Sequence, residues 1–111
     1  MQPPTTIKAG PYDYRVLYSK KRLDRYALIS GDHGLGGYVS HDQCEIVVEP
    51  GLPATLQREI LWHEVLHLVH QVAGLTDRET VGAEEAVTLM GVHSLAILRD
   101  NPQLVAYLTE E

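Results

Sequence analysis

The run ILWHEVLHLVH, residues 60–70, carries two imidazoles and a carboxylate, His63, Glu64 and His67, in the pattern His-Glu-x-x-His. On a helix, positions four apart lie one turn apart on the same face, so both imidazoles can converge on one ion. Glu64 stands about 100° round the axis from His63. There it flanks the ion and can take a proton from a metal-bound water instead of ligating. Zn2+ lowers the pKa of such a water towards ~7, and a nearby carboxylate then serves as general base. Polar groups in an apolar run are costly to bury alone, and a metal would partner all three together. The pattern therefore predicts a Zn2+ site with His63 and His67 as ligands and Glu64 as catalytic base.

A catalytic zinc needs a third protein ligand and an open position for water. The extended pattern with a glycine at 70 and a histidine at 73 is ruled out, because those positions are His70 and Ala73. The other common source is a glutamate on the next helix, and GAEEAVTLMGVHSLAIL supplies Glu84 and Glu85. Val87, Met90, Ser94 and Ile97 step along one helical face that extends back to Ala83 and Glu84. That favours Glu84 over Glu85 as the metal ligand, with Glu85 further round towards solvent. His70 shares the face of His63 and His67 but lies about 10 Å along the axis from His63, too far to close the same shell. It remains a candidate for lining a cleft. His93 is read as a surface or packing residue, and His33 and His41 as solvated turn residues. Thr88, one turn past Glu84, could bond a ligand ring.

The elements that must position these groups divide into two halves. TIKAG and YDYRVLYS are short β-prone runs separated by the turn Gly10-Pro11. RYALIS, residues 25–30, reads as a further strand, and GDHGLGG, residues 31–37, as a glycine-rich loop. Tyr38 and Val39, a turn at His41-Asp42, and Cys44 to Val48 form a hairpin. The second half is helical. Pro53 fits the first turn of a helix running to Ala73, with Gly74 as its stop. This helix is apolar on nearly every side, the mark of a central, buried helix. TDRE, residues 76–79, has capping-box form and opens a second helix to about Arg99. A short helix, PQLVAYL, follows Asn101. Strands first and helices after give an α+β class: a small antiparallel or mixed sheet packed on the His-Glu-x-x-His helix.

The 111 residues are one domain's worth, residues 1–111. Composition is ordinary for a globular chain, at 44% hydrophobic and 22% charged. A net charge of −6 argues against nucleic acid as a partner, since phosphate contacts need a clustered basic surface. The basic run Lys20, Lys21, Arg22 and Arg25 reads as a solvated loop or strand edge. The single cysteine, Cys44, allows no internal disulfide and reads as a small buried apolar residue. No run approaches the length of a membrane span, and the N-terminus has no apolar signal core, so a cytoplasmic setting is expected.

With His-Glu-x-x-His and a downstream helical glutamate, the chain resembles the zincin metallopeptidases of the gluzincin kind. Over GLPATLQREILWHEVLHLV, EEAV and LRDNPQLVAYL it is similar to small phage- and prophage-encoded metallopeptidases distantly related to the ImmA/IrrE group. The resemblance implies a zincin-like fold, with His63, His67 and Glu84 on zinc and Glu64 as base. It also implies that an edge strand, Cys44 to Val48 or its partner around Tyr38, holds an extended peptide. Thr88 stands where thermolysin-like enzymes carry an aspartate, and Tyr26, Tyr38 and His70 are the candidates for oxyanion support. The function expected is a zinc-dependent metallopeptidase acting on a peptide or protein substrate. The alternative is a zinc-stabilised regulatory or phage-assembly protein with little or no catalytic activity.

Overall fold

The computed structural model describes residues 2–31, 36–76, 78 and 80–110. Among them the chain forms β1 (Thr6–Ala9), β2 (Tyr12–Tyr18), α1 (Lys20–Ser30), β3 (Gly37–Ser40), β4 (Glu45–Val48), α2 (Ala54–Val72), α3 (Ala83–Asp100) and α4 (Pro102–Leu108). The class is α+β, with a mixed sheet in the order β1-β2-β4-β3. β1 and β2 pair antiparallel through the Gly10 turn, β2 and β4 run parallel, and β3 and β4 close an antiparallel hairpin.

Strand β4 explains the layering. All four of its residues are buried, and side chains alternate across a strand. Ile46 and Val48 join Val16, Leu61, Val65, Leu68 and Val69 in the main core beneath α2. Val47 points to the other face, against Leu23 and Tyr26 of α1. Helix α1 therefore covers one face of the sheet, and α2, α3 and α4 cover the other.

The run at 25–30 is helical, not a strand. Leu23, Tyr26 and Ala27 are its buried residues, at helical spacing, and the Ser19 side chain accepts from the Arg22 N–H. Gly31 closes the helix in the left-handed conformation. The basic run is thus helical as well, and it is only partly solvated. Arg22 donates to Glu45 at 2.8 and 3.2 Å. Glu45 is fully buried and also accepts from Tyr26 Oη at 2.8 Å and from Arg15.

Cys44 is half-buried and lies outside β4, in a left-handed turn conformation (φ 51°) that ends the loop 41–44. The helical expectations fare better. Helix α2 begins after Pro53 and ends at Gly74 (φ 74°), where Leu75 N–H reaches the His70 carbonyl at 3.1 Å. Helix α3 starts at Ala83 after Gly82, later than the TDRE run suggests; Asp77 and Glu79 of that run lie outside the described residues. Among the described residues, no helix is long and apolar enough to cross a membrane.

Candidate functional site

Helix α2 is central but not enclosed. Its buried positions are Leu61, Glu64, Val65, Leu68 and Val69, whereas His63, Leu66, His67 and His70 are exposed. The polar residues that looked costly in sequence are mostly on the open side of the helix. Only Glu64 is inside, at 6% exposure.

The structure does bring His63 and His67 together. Their Nε2 atoms are 3.2 Å apart and their rings meet edge to face, with centroids at 4.9 Å. With Glu64 they line one side of a cleft of about 400 Å³, whose other lining residues are Ser30, Gly37, Tyr38, Val39 and His41. The cleft therefore lies between α2 and strand β3. Burial pushes the Glu64 carboxyl above its ordinary value, a rise only partly opposed by His63. Among the described residues nothing donates a hydrogen bond to it, and no fully enclosed side-chain nitrogen or oxygen lacks a partner. Its oxygens therefore meet solvent through the cleft.

His41 also lines the cleft. It was expected as a solvated turn residue, but its Nδ1 sits 3.1 Å from Tyr14 Oη, and burial holds its pKa below the ordinary histidine value. Tyr38 stacks on Tyr26 with centroids at 4.6 Å. His41, Gly37 and Val39 were missed as site residues because only the pairing of the hairpin brings them over α2. The alternation at 38–40 signalled a strand, not its neighbour.

The remaining candidates lie elsewhere. His70 Nδ1 contacts Thr76 Oγ1 at 3.2 Å, at the end of α2, and does not line the cleft. His93 lines a separate groove with Tyr12, Tyr14 and Asp100. Glu84 is exposed in the first turn of α3, and Glu85 is ion-paired with Arg78. Thr88 donates to the Glu84 backbone carbonyl at 2.8 Å and so supports no ligand ring. His33 lies outside the described residues.

Strand β3 is the sheet's edge, and its hydrogen-bond phase follows from one contact. Glu49 N–H donates to the Gly36 carbonyl at 2.9 Å. Residues 36 and 49 are thus a hydrogen-bonded antiparallel pair, and the register makes Tyr38–Val47 and Ser40–Glu45 the next such pairs. Gly37 and Val39 must then turn their N–H and C=O groups away from β4, along an edge that pairs with no other strand among the described residues.

These positions overturn the zinc expectation. Among the described residues, no group of three or more His, Cys, Asp or Glu could hold a metal ion. His63 and His67 supply two nitrogens, and neither Glu84 nor Glu85 lines their cleft. A bound Zn2+, a metal-activated water with Glu64 as its base, and a zinc metallopeptidase activity are therefore withdrawn. So is the resemblance to zincins and to the phage and prophage metallopeptidases that carried them. The chain was compared with protein-family models, curated proteins and solved structures, and it matches none of them.

Proposed function

We propose that the chain, acting as one unit over residues 1–111, is a regulatory or assembly module that binds an extended segment of a partner protein without cleaving it. The segment adds as a strand along β3. The observation that carries this reading is the outward phase of Gly37 and Val39, whose backbone donors and acceptors border the cleft between β3 and α2. An added strand would satisfy those groups and place alternate side chains over His63, Glu64 and His67. The net charge of −6 and the Glu64 carboxyl favour a partner segment with basic residues, and disfavour nucleic acid. The lone cysteine supports a cytoplasmic setting as part of the same reading.

The test is selection of random peptides displayed on a surface, followed by binding isotherms of the enriched peptides. Val39→Pro removes one outward N–H without touching a bond to β4. It should weaken peptide binding about tenfold or more, and because the Val39 side chain packs against the main core, circular dichroism should confirm that the variant is folded at the temperature of the binding assay. Bound peptides should remain intact by mass spectrometry. Failure to enrich any peptide, or equal binding by Val39→Pro, would overturn the reading.

A further inference from the structure

Helix α3 is apolar over most of its circumference, yet Ile97 is its only buried residue among those described. Val87, Val92 and Leu95 are 67%, 62% and 57% exposed. A helix greasy on its outer side as well as its inner one is short of a neighbour. The outer side has order. Glu85, Thr88, Val92, Leu95 and Arg99 are all exposed and follow one another at spacings of three, four, three and four. That is the stepping of a coiled-coil seam, so these five residues form one stripe.

The stripe is self-complementary. Val92 is its midpoint, and Glu85 and Arg99 each stand seven residues from it, about 10.5 Å along the axis in opposite directions. Reversing the helix about Val92 exchanges the acidic end with the basic end and lays Thr88 against Ala96, one residue from Leu95. Thr88 brings no unpaired hydroxyl to such a contact, because its Oγ1 already bonds the Glu84 carbonyl. The Glu85 side chain, although paired with Arg78, remains 54% exposed. At the crossing point Gly91 carries no side chain, and nothing lies within 4 Å of where its Cβ would be.

We infer that α3 pairs with α3 of a second copy of this chain, antiparallel and two-fold symmetric about Val92. The charge pattern selects this occupant. A parallel partner would set Glu85 against Glu85 and Arg99 against Arg99, whereas the antiparallel copy sets each against its opposite. Such a contact is isologous and closes as a dimer. It is independent of the strand-binding reading, since no residue of α3 lines the cleft.

Sedimentation equilibrium of the full chain from about 5 to about 500 µM tests the inference. The wild type should pass from monomer to dimer over that range. Leu95→Glu should be monomeric throughout, and Arg99→Glu should weaken the dimer by ~tenfold or more. The double variant Glu85→Lys with Arg99→Glu should recover wild-type affinity to within about threefold, because the ends again attract. It should also fail to mix with wild-type chains. These side chains are on the surface, and circular dichroism and melting should confirm that each variant folds. A wild type that stays monomeric, a dimer indifferent to Leu95→Glu, or a double variant no better than Arg99→Glu would overturn the inference.

Discussion

The backbone of Gly37 lies directly on the Glu64 side chain. A Cβ on Gly37 would stand 3.0 Å from Glu64 Oε2, 3.1 Å from its Cγ and 2.7 Å from Ile60 Cγ2. The edge strand and the central helix are thus in contact at the point where the cleft is formed, and only a residue without a side chain allows it.

Gly37→Val should therefore push β3 off α2. Two of the groups it would meet, Ile60 and Glu64, are held by the core or buried against it, so the strain cannot be relieved by one swinging side chain. Overpacking of this kind costs about 1–3 kcal/mol. Urea unfolding should show a lower midpoint with an unchanged slope. An unchanged midpoint would mean that the contact is looser than described.

Glu45 ties α1 to the sheet. Burial alone would raise its pKa, but hydrogen bonds from Arg22 and Tyr26 and the charges of Arg22 and Arg15 hold it below the ordinary carboxylate value of 4.5. The sign follows from linkage. A depressed folded pKa contributes stability that is fully present above the unfolded value and is lost as pH falls through the folded one. Glu45→Gln should lower Tm by several degrees at pH 7, with the gap to wild type closing as pH falls below the ordinary carboxylate value of 4.5. Parallel melting curves across that pH range check it.

Asn101 is 1% exposed and holds the α3–α4 corner to β1. Its Oδ1 accepts from Lys8 N–H at 2.8 Å, and its Nδ2 donates to the carbonyls of Lys8 at 2.8 Å and Ile97 at 2.7 Å. Asn101→Leu should strand these backbone groups and cost about 2–4 kcal/mol, read as a loss in chemical denaturation. A loss below ~0.5 kcal/mol would show that water replaces the amide.

His63 and His67 are exposed, and among the described residues no buried side chain hydrogen-bonds to either. Replacing both by Ala should change stability by no more than about 0.5 kcal/mol. Dialysis against a chelator should leave Tm where it was. A clear fall in Tm on chelation, reversed by added zinc, would return a metal to this site.

Much of the fold was legible in the sequence, and the reasons differ by element. Proline and glycine punctuation placed α2 to within a residue, and Gly10 marked the first hairpin turn. Residues 25–30 misled because RYALIS is β-prone when read alone. The helix signal lay upstream, in Ser19 as cap and Leu23 one turn before Tyr26. The site was half legible. Helical spacing brings His63 to His67 whatever the surroundings, and the structure keeps that pair. The third ligand depended on where α3 begins and which way it turns, which is tertiary information that spacing does not carry. Glu45 could have been suspected, as an acid inside CEIVV with Arg15 and Arg22 within reach. The edge position of β3 could not, because strand order is set by the parallel pairing of β2 with β4.

Amide hydrogen exchange at residues 37–39, measured with and without a selected peptide, reads strand addition at β3 itself. Strand addition predicts that the Gly37 and Val39 amides, turned away from β4 in the unbound protein, become protected by about tenfold or more on binding. The Tyr38 amide, already turned to β4, should change little. Protection that skips Gly37 and Val39, or that falls on α2 alone, would rule out strand addition at β3.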